Sequence, residues 1–332
     1  MTLRIPRLGS TSRAFLVLGV LLAVYAFVQP PLFSSSTFTT ILDESMVVAL
    51  AAVGETIVVM AGGFDLSVGA ALSVVNVVLA THPWGSTIGQ IGMIPVGVGV
   101  GAGIGLVNGF LVAVLRIPSI AATLATSFFW GGVALLILKQ PGGAIPFDFV
   151  NWFTGDWGSI PSASAVLVFT AAAWLLFKRT RLGRAVYSVG GNPTAAAING
   201  IRVRETKIAA YAIAGLFYGL AGVFLSAESA SGDPNIGAPV LLTVFAAVVV
   251  GGTPFGGGRG DALGSIAGAF ILTMIANVLF ALGVSSFYTN IFNGAVLVLA
   301  VLASSVTSNV FGPLRRVIAL RARRAGLAGS EG

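Results

Sequence analysis

Residues 91–115 read IGMIPVGVGVGAGIGLVNGFLVAVL, about 25 residues without one ionisable side chain. A helix rising 1.5 Å per residue over that length crosses a hydrocarbon core about 30 Å thick. Runs of the same kind recur along the whole chain, which is 56% hydrophobic and only 9% charged over 332 residues. An ordinary soluble domain has roughly a quarter of its residues charged, so a water-soluble fold is excluded. The expected class is an all-α, polytopic integral membrane protein, one transmembrane domain over 1–332. Ten spans are expected, near 14–30, 44–61, 66–81, 91–115, 119–138, 162–177, 208–228, 238–252, 262–283 and 287–306.

The net charge of +7 follows the same plan. With the N-terminus inside, Arg4, Arg7, Arg13, Arg116, the cluster Lys178 to Lys207, Arg259 and the tail Arg315, Arg316, Arg321, Arg323 and Arg324 all fall on the cytoplasmic side. Only Lys139 falls outside. Excess Lys and Arg in short cytoplasmic loops sets orientation, so both termini are expected in the cytoplasm, with 307–332 a basic tail. The basic excess is thus a topology signal and calls for membrane lipid, not nucleic acid. Arg4, Arg7 and Arg13 before an apolar run also resemble a signal peptide, but no small-x-small cleavage site follows, and the run is read as a helix.

Little of the chain looks like catalysis. Cysteine is absent and His82 is the single histidine, so no metal site or cofactor is expected. No G-x-x-x-x-G-K-[ST], H-E-x-x-H or G-x-S-x-G occurs, and Gly256-Gly257-Gly258-Arg259-Gly260-Asp261 lacks the lysine and hydroxyl of a phosphate loop. The chain is therefore not expected to be an enzyme or to hold a nucleotide.

Four features carry more. The cytoplasmic loop 178–207 contains a designed-looking short helix: Asn192 is a good N-cap, Pro193 suits the first position, Thr194 to Asn199 is alanine-rich and Gly200 suits the end. Its small, nearly uncharged surface suits a protein groove. The segment 139–161, rich in Pro, Gly and Trp, reads as an external connector or cap. Glycines such as Gly97, Gly99, Gly101, Gly103, Gly105 and Gly109 read as close helix packing. Two Gly-rich interruptions, Gly62 to Gly69 and Gly251 to Gly260, share a GG-then-Phe cadence that indicates an internal repeat and a place on the transport path or in packed hairpins.

Acids within a membrane are functional candidates by default. Glu55 and Asp65 are about 15 Å apart along a continuous helix and so form no obvious dyad; Asp65 is expected to cap the helix beginning at Ser67, and Glu55 to line a pore or join helices. Sparse amides and aromatics, Asn76, Asn108, Asn277, Asn290, Asn293, Trp130, Phe292 and Tyr211, Tyr218 and Tyr288, singly read as interhelical glue and together favour a neutral solute.

At these residues the sequence resembles a family, the permease subunits of bacterial monosaccharide ABC importers of the ribose, xylose, arabinose and galactose group. Gly62-Gly63-Phe64-Asp65-Leu66-Ser67-Val68-Gly69 resembles the family's GG-I-D-L-S-V-G signature, with Phe64 for the aliphatic residue. Leu182 to Ile201, including Arg184, Gly190, Asn192, Pro193, Ala196 and Gly200, resembles its cytoplasmic loop, and Gly251-Gly252 with Gly257 to Gly260 its GG…GGRG element. Trp130-Gly131, Leu241-Leu242-Thr243 and Glu55 depart from the common pattern. The resemblance implies a bacterial inner-membrane location, a second permease chain, identical or homologous, two ATPase domains docked on the loop helix and a periplasmic sugar-binding protein. The candidate transport path is Glu55, Phe64, Asp65, Asn76, Trp130, Asn277, Asn290 and Asn293. Two other readings stay open: an ion-coupled transporter using Glu55 and Asp65, and a permease of the same superfamily carrying amino acids or nucleosides.

Overall fold

The computed structural model describes residues 9–28, 35–158, 160–284 and isolated positions between 288 and 302. Twelve helices are delimited: α1 (Ser10–Val28), α2 (Ser35–Met60), α3 (Val68–Thr81), α4 (Thr87–Ala113), α5 (Ser119–Ile137), α6 (Phe147–Thr154), α7 (Ser162–Arg179), α8 (Arg181–Gly191), α9 (Pro193–Ile198), α10 (Val203–Ser229), α11 (Val240–Val250) and α12 (Ala262–Ala281). A two-residue hairpin, β1 (Asp156–Trp157) with β2 (Ile160–Pro161), follows α6. Helices dominate because hydrocarbon offers no partner to a backbone N–H or C=O, and a helix satisfies them within itself. Each of the first nine expected spans falls on a helix, though α2 begins nine residues before the expected 44 and residues 29–30 of the first lie outside the described residues. The tenth, 287–306, lies largely outside the described residues, as do Asn290, Asn293 and the tail.

Five helices among the described residues, α4, α5, α7, α10 and α12, are long and apolar enough to cross a membrane. The chain is a multi-pass membrane protein. α2 is equally long but carries Asp43, Glu44 and Glu55. α3 and α11, with 14 and 11 residues, rise only about 21 and 16 Å, so neither crosses the core unaided. The connector 139–161 is more structured than a plain loop: Phe149 and Phe153 of α6 bury against the bundle.

Glycine sets the closest packing. A Cβ on Gly101 would lie 2.3 Å from the carbonyl oxygen of Gly215, one on Gly105 2.2 Å from that of Tyr211, and one on Gly219 2.5 Å from that of Gly97. Gly97, Gly101, Gly105 and Gly109 thus form one stripe on α4 against α10. Small residues allow this approach, and dispersion between backbones replaces the absent hydrophobic drive. Gly99 and Gly103, expected in the same packing, have no neighbour within 4 Å; they fall on the far side of the helix, since only every fourth residue repeats a face.

The GG cadence is a structural repeat. Gly62 has φ +79° and Gly252 has φ +88°, and both helix ends close with the same pair of bonds. Gly62 and Gly63 donate to the Val59 and Val58 carbonyls; Gly252 and Thr253 donate to those of Val249 and Val248. This is the Schellman arrangement, in which the left-handed residue lets two orphan carbonyls be satisfied. In each copy the chain then enters a helix through an Asp: the Asp65 carboxylate accepts from Ser67 N–H and that of Asp261 from Leu263 N–H, each at 3.0 Å.

Candidate functional site

The basic loop between α7 and α10 forms two helices. α8 begins at Thr180, whose hydroxyl accepts from Gly183 N–H at 3.0 Å, and buries Gly183, Val186 and Val189. α9 has the caps its sequence foretells. Asn192 Oδ1 accepts from Ala195 N–H at 3.0 Å, with Pro193 in the first turn. Gly200, at φ +78°, donates to Ala197 and Ile201 donates to Ala196, closing the helix as at Gly62. Ala196 is buried and turned onto the protein itself, whereas Thr194, Ala195, Ala197 and Ile198 are exposed. Ile198, at 81%, is the apolar residue offered outward, and the sequence reading overlooked it. Arg184 is spent locally, donating to the Arg179 carbonyl at 2.7 Å. With its cap removed in Asn192→Ala, α9 should lose about 1 kcal/mol, so amide exchange over 193–199 should quicken about fivefold in a hydrogen–deuterium measurement.

The three glycine motifs that are remote in sequence meet at one point. Gly258 N–H donates to the Met60 carbonyl at 2.9 Å, joining the two GG turns. Gly190, near the end of α8, sits against both: its Cβ would fall 1.7 Å from the Met60 oxygen and 2.7 Å from the Gly258 nitrogen, while a Cβ on Gly257 would lie 2.7 Å from the Gly190 oxygen. α9, which begins three residues after Gly190, therefore adjoins a backbone junction at the ends of α2 and α11. Asp261 braces it. Its carboxylate accepts from Lys178 Nζ at 2.7 Å and Trp174 Nε1 at 2.8 Å. Tyr187 of α8 donates to the Gly260 carbonyl at 2.9 Å; burial, and secondarily the charge of Asp261, push its phenol up to about 12, so it remains a donor at neutral pH.

Deeper lies a polar network around Asp65. The expectation that Glu55 and Asp65 stand well apart is corrected, because the reversal at Gly62 folds the chain back: Asp65 N–H donates to Glu55 Oε1 at 3.3 Å. Glu55 Oε2 accepts from the Tyr218 hydroxyl at 2.8 Å. Asp65 accepts from Ser67 N–H, from the Ser67 hydroxyl at 2.6 Å and from Asn108 Nδ2 at 3.1 Å. Thr126 donates to Asn108 Oδ1 at 2.7 Å, and Tyr211 donates to the Phe64 carbonyl at 3.0 Å. The Phe64 ring packs with Phe255 at 5.2 Å and Phe245 at 6.3 Å between centroids.

The remaining path candidates are not drawn into this network. Asn76 bonds the segment after α10, donating to the Ser231 carbonyl at 3.0 Å and accepting from Asp233 N–H at 2.7 Å. Asn277 donates to Glu44 Oε2 at 2.8 Å, near the opposite end of α12 from Asp261. Trp130, on α5, stacks edge-on to Phe129 and has a buried Nε1 without a partner among the described residues.

Residues 37–301 match the family model described as "Branched-chain amino acid transport system / permease component". The chain belongs to this permease family. It is 34% identical over 299 residues to the ribose import permease protein RbsC of Escherichia coli K12, covering 88% of this chain and 93% of the relative. It is also 34% identical to RbsC of Bacillus subtilis 168, over 87% and 90% of the two chains. With the galactose/methyl galactoside import permease protein MglC of E. coli K12 it shares 31% over 88% and 93%. No solved structure matches it. As a permease component it is a transport subunit, and the glycine junction links the loop of its sequence to both of its repeats.

Proposed function

We propose that this permease is the membrane-spanning subunit of an ATP-driven importer that passes a small neutral sugar, delivered by a periplasmic binding protein, across a bacterial inner membrane. In this reading ten spans cross the bilayer, α3 and α11 being completed by non-helical segments, and both termini are cytoplasmic. A second permease chain pairs with it, and two separate ATPase domains hydrolyse the nucleotide.

The observation that carries the proposal is the exposed, doubly capped α9. It presents Ile198 to the cytoplasm and is tied through α8 to the Gly190 junction between the repeats. A push on α9 reaches the inner ends of α2 and α11 through backbone contacts alone, the stiffest connection a protein offers. The sugar relatives favour this cargo over amino acids. Ion coupling is disfavoured because the carboxylates of Glu55 and Asp65 are already occupied by donors of the protein itself.

Purification of the tagged chain in mild detergent should bring down an ATPase, identified by mass spectrometry. Ile198→Asp puts a charge into the apolar contact and should abolish that co-purification while the chain still inserts. Equal recovery of the ATPase with Ile198→Asp would remove α9 from the contact. A chain that arrives alone, with transport intact, would overturn the importer.

A further inference from the structure

Between α10 and α11 the chain does not stay at the membrane surface. Residues 231–239, SGDPNIGAP, run back along α3 as successive turns, neither helix nor strand, in which Ile236, Ala238 and Val240 donate to the Asp233, Asn235 and Gly237 carbonyls. Gly232 lies against Ala80, where its Cβ would approach the Ala80 methyl to 2.7 Å. Asn76 then holds Ser231 and Asp233. The Ser73 hydroxyl accepts from Gly237 N–H at 3.0 Å, and Gly237 and Gly69 touch backbone to backbone. From Ala80 to Gly69 the segment follows α3 for about 16 Å at 1.5 Å per residue. α12 gives a second ruler: Gly251 lies beside Gly264 and Gly268 beside Ala247, a register that sets Val240 level with Ile275, about 9 Å short of the end of α12 at Ala281. The descent accounts for the shortness of α11, which starts inside the membrane.

Irregular backbone at membrane depth is tolerated only where protein covers it or water reaches it, never against lipid. One edge of the segment is covered, by α3. The other is open: Asn235, Ala238 and Pro239 are exposed. The Asn235 side chain makes no hydrogen bond among the described residues, since Asp233 takes only its backbone N–H. A free amide at that depth needs water or a polar ligand. Half-helices that begin at mid-membrane beside an unwound strand are also how transporters place polar groups along a path.

We infer that residues 231–239 line a water-filled passage open to the outside, with Asn235 as a contact for the hydroxyl groups of the neutral solute. The chemical class follows from the exposed positions Asn235, Ala238 and Pro239, which offer an amide and no charge, while the half-buried Asp233 is turned to the Asn235 N–H: a polyhydroxylated, uncharged molecule can both donate to and accept from Asn235. The identity of that solute as a sugar rests on the importer reading; the water-filled passage does not.

The chain contains no cysteine, so single thiols report cleanly. Asn235→Cys and Ala238→Cys, in the assembled importer in proteoliposomes, should react with a membrane-impermeant methanethiosulfonate added from outside. They should do so severalfold faster than Val168→Cys and Phe169→Cys on α7, which are exposed on an apolar span, and D-ribose or D-galactose should slow them. Thiols at both positions as inert as those on α7 would overturn the passage, as would an oxidative cross-link joining Asn235→Cys or Ala238→Cys between two copies, because protein would then cover the segment. Thiols that react but are slowed by neither sugar overturn the solute contact. Absence of ATP-driven sugar uptake by the unsubstituted importer is a separate failure, of the importer reading, and leaves the labelling result standing.

Discussion

Gly190→Ala is expected to cost the permease about 3 kcal/mol of packing at the junction and most of its energy-driven uptake, whereas Gly191→Ala one residue away should be nearly silent. The added methyl at 190 would meet the Met60 carbonyl at 1.7 Å and the Gly258 nitrogen at 2.7 Å. Both are backbone atoms, so no side chain can swing aside. Either α8 lifts from the junction or the 2.9 Å bond from Gly258 to Met60 breaks. At 191 the nearest atom is the Gly258 Cα at 3.9 Å, an ordinary contact. A penalty of about 3 kcal/mol lowers the docked population by more than a hundredfold. Uptake into vesicles and the unfolding midpoint of the purified variants should therefore separate the neighbouring substitutions sharply. Indistinguishable behaviour of the pair would mean that the junction yields, and α9 would need another route to the membrane.

The contrast between neighbouring glycines shows where sequence reading reaches its limit. That α9 would be a short capped helix was legible because each signal, Asn192, Pro193 and Gly200, acts within one turn of itself. The spans were legible for the same reason: hydropathy is summed locally. α8 was hidden, because Gly183, Gly190 and Gly191 interrupt its composition although Gly183, Val186 and Val189 share a buried face. The descent of 231–239 was hidden too. It falls between the expected spans 208–228 and 238–252 and carries no local signal of depth, which only the register against α3 and α12 reveals. The meeting of Glu55 with Asp65 depended on one left-handed glycine, Gly62, which turned a separation along a helix into a backbone hydrogen bond. Asn76 and Asn277 are the amide version of the same difficulty, since a lone amide has no meaning until the helix facing it is known.

Asp65→Ala should be the most damaging change within the membrane-embedded part of the chain, with a loss of about 4 kcal/mol as several buried donors lose one shared acceptor. The carboxylate is fully buried and ties the entry of α3 to α4: Ser67 N–H and hydroxyl approach from one side and Asn108 Nδ2 from the other. Asn108 in turn holds Thr126 of α5, and Leu66 N–H donates to Thr123 at 3.0 Å, so three helices lose their common anchor together. Asp65→Asn keeps one acceptor oxygen but sets a second NH₂ group against Asn108 Nδ2, and an intermediate loss is expected. Glu55→Gln should be mild. One amide oxygen still accepts from Asp65 N–H, and the Tyr218 hydroxyl can rotate its hydrogen away to accept from the new NH₂. Unfolding midpoints should thus fall in the order Asp65→Ala, then Asp65→Asn, with Glu55→Gln near the parent, and Glu55→Gln should retain ATP-driven uptake. Uptake abolished in a stably folded Glu55→Gln protein would reverse the assignment, because only an ionisable group at 55, carrying a proton or holding a cation during transport, would then explain the loss.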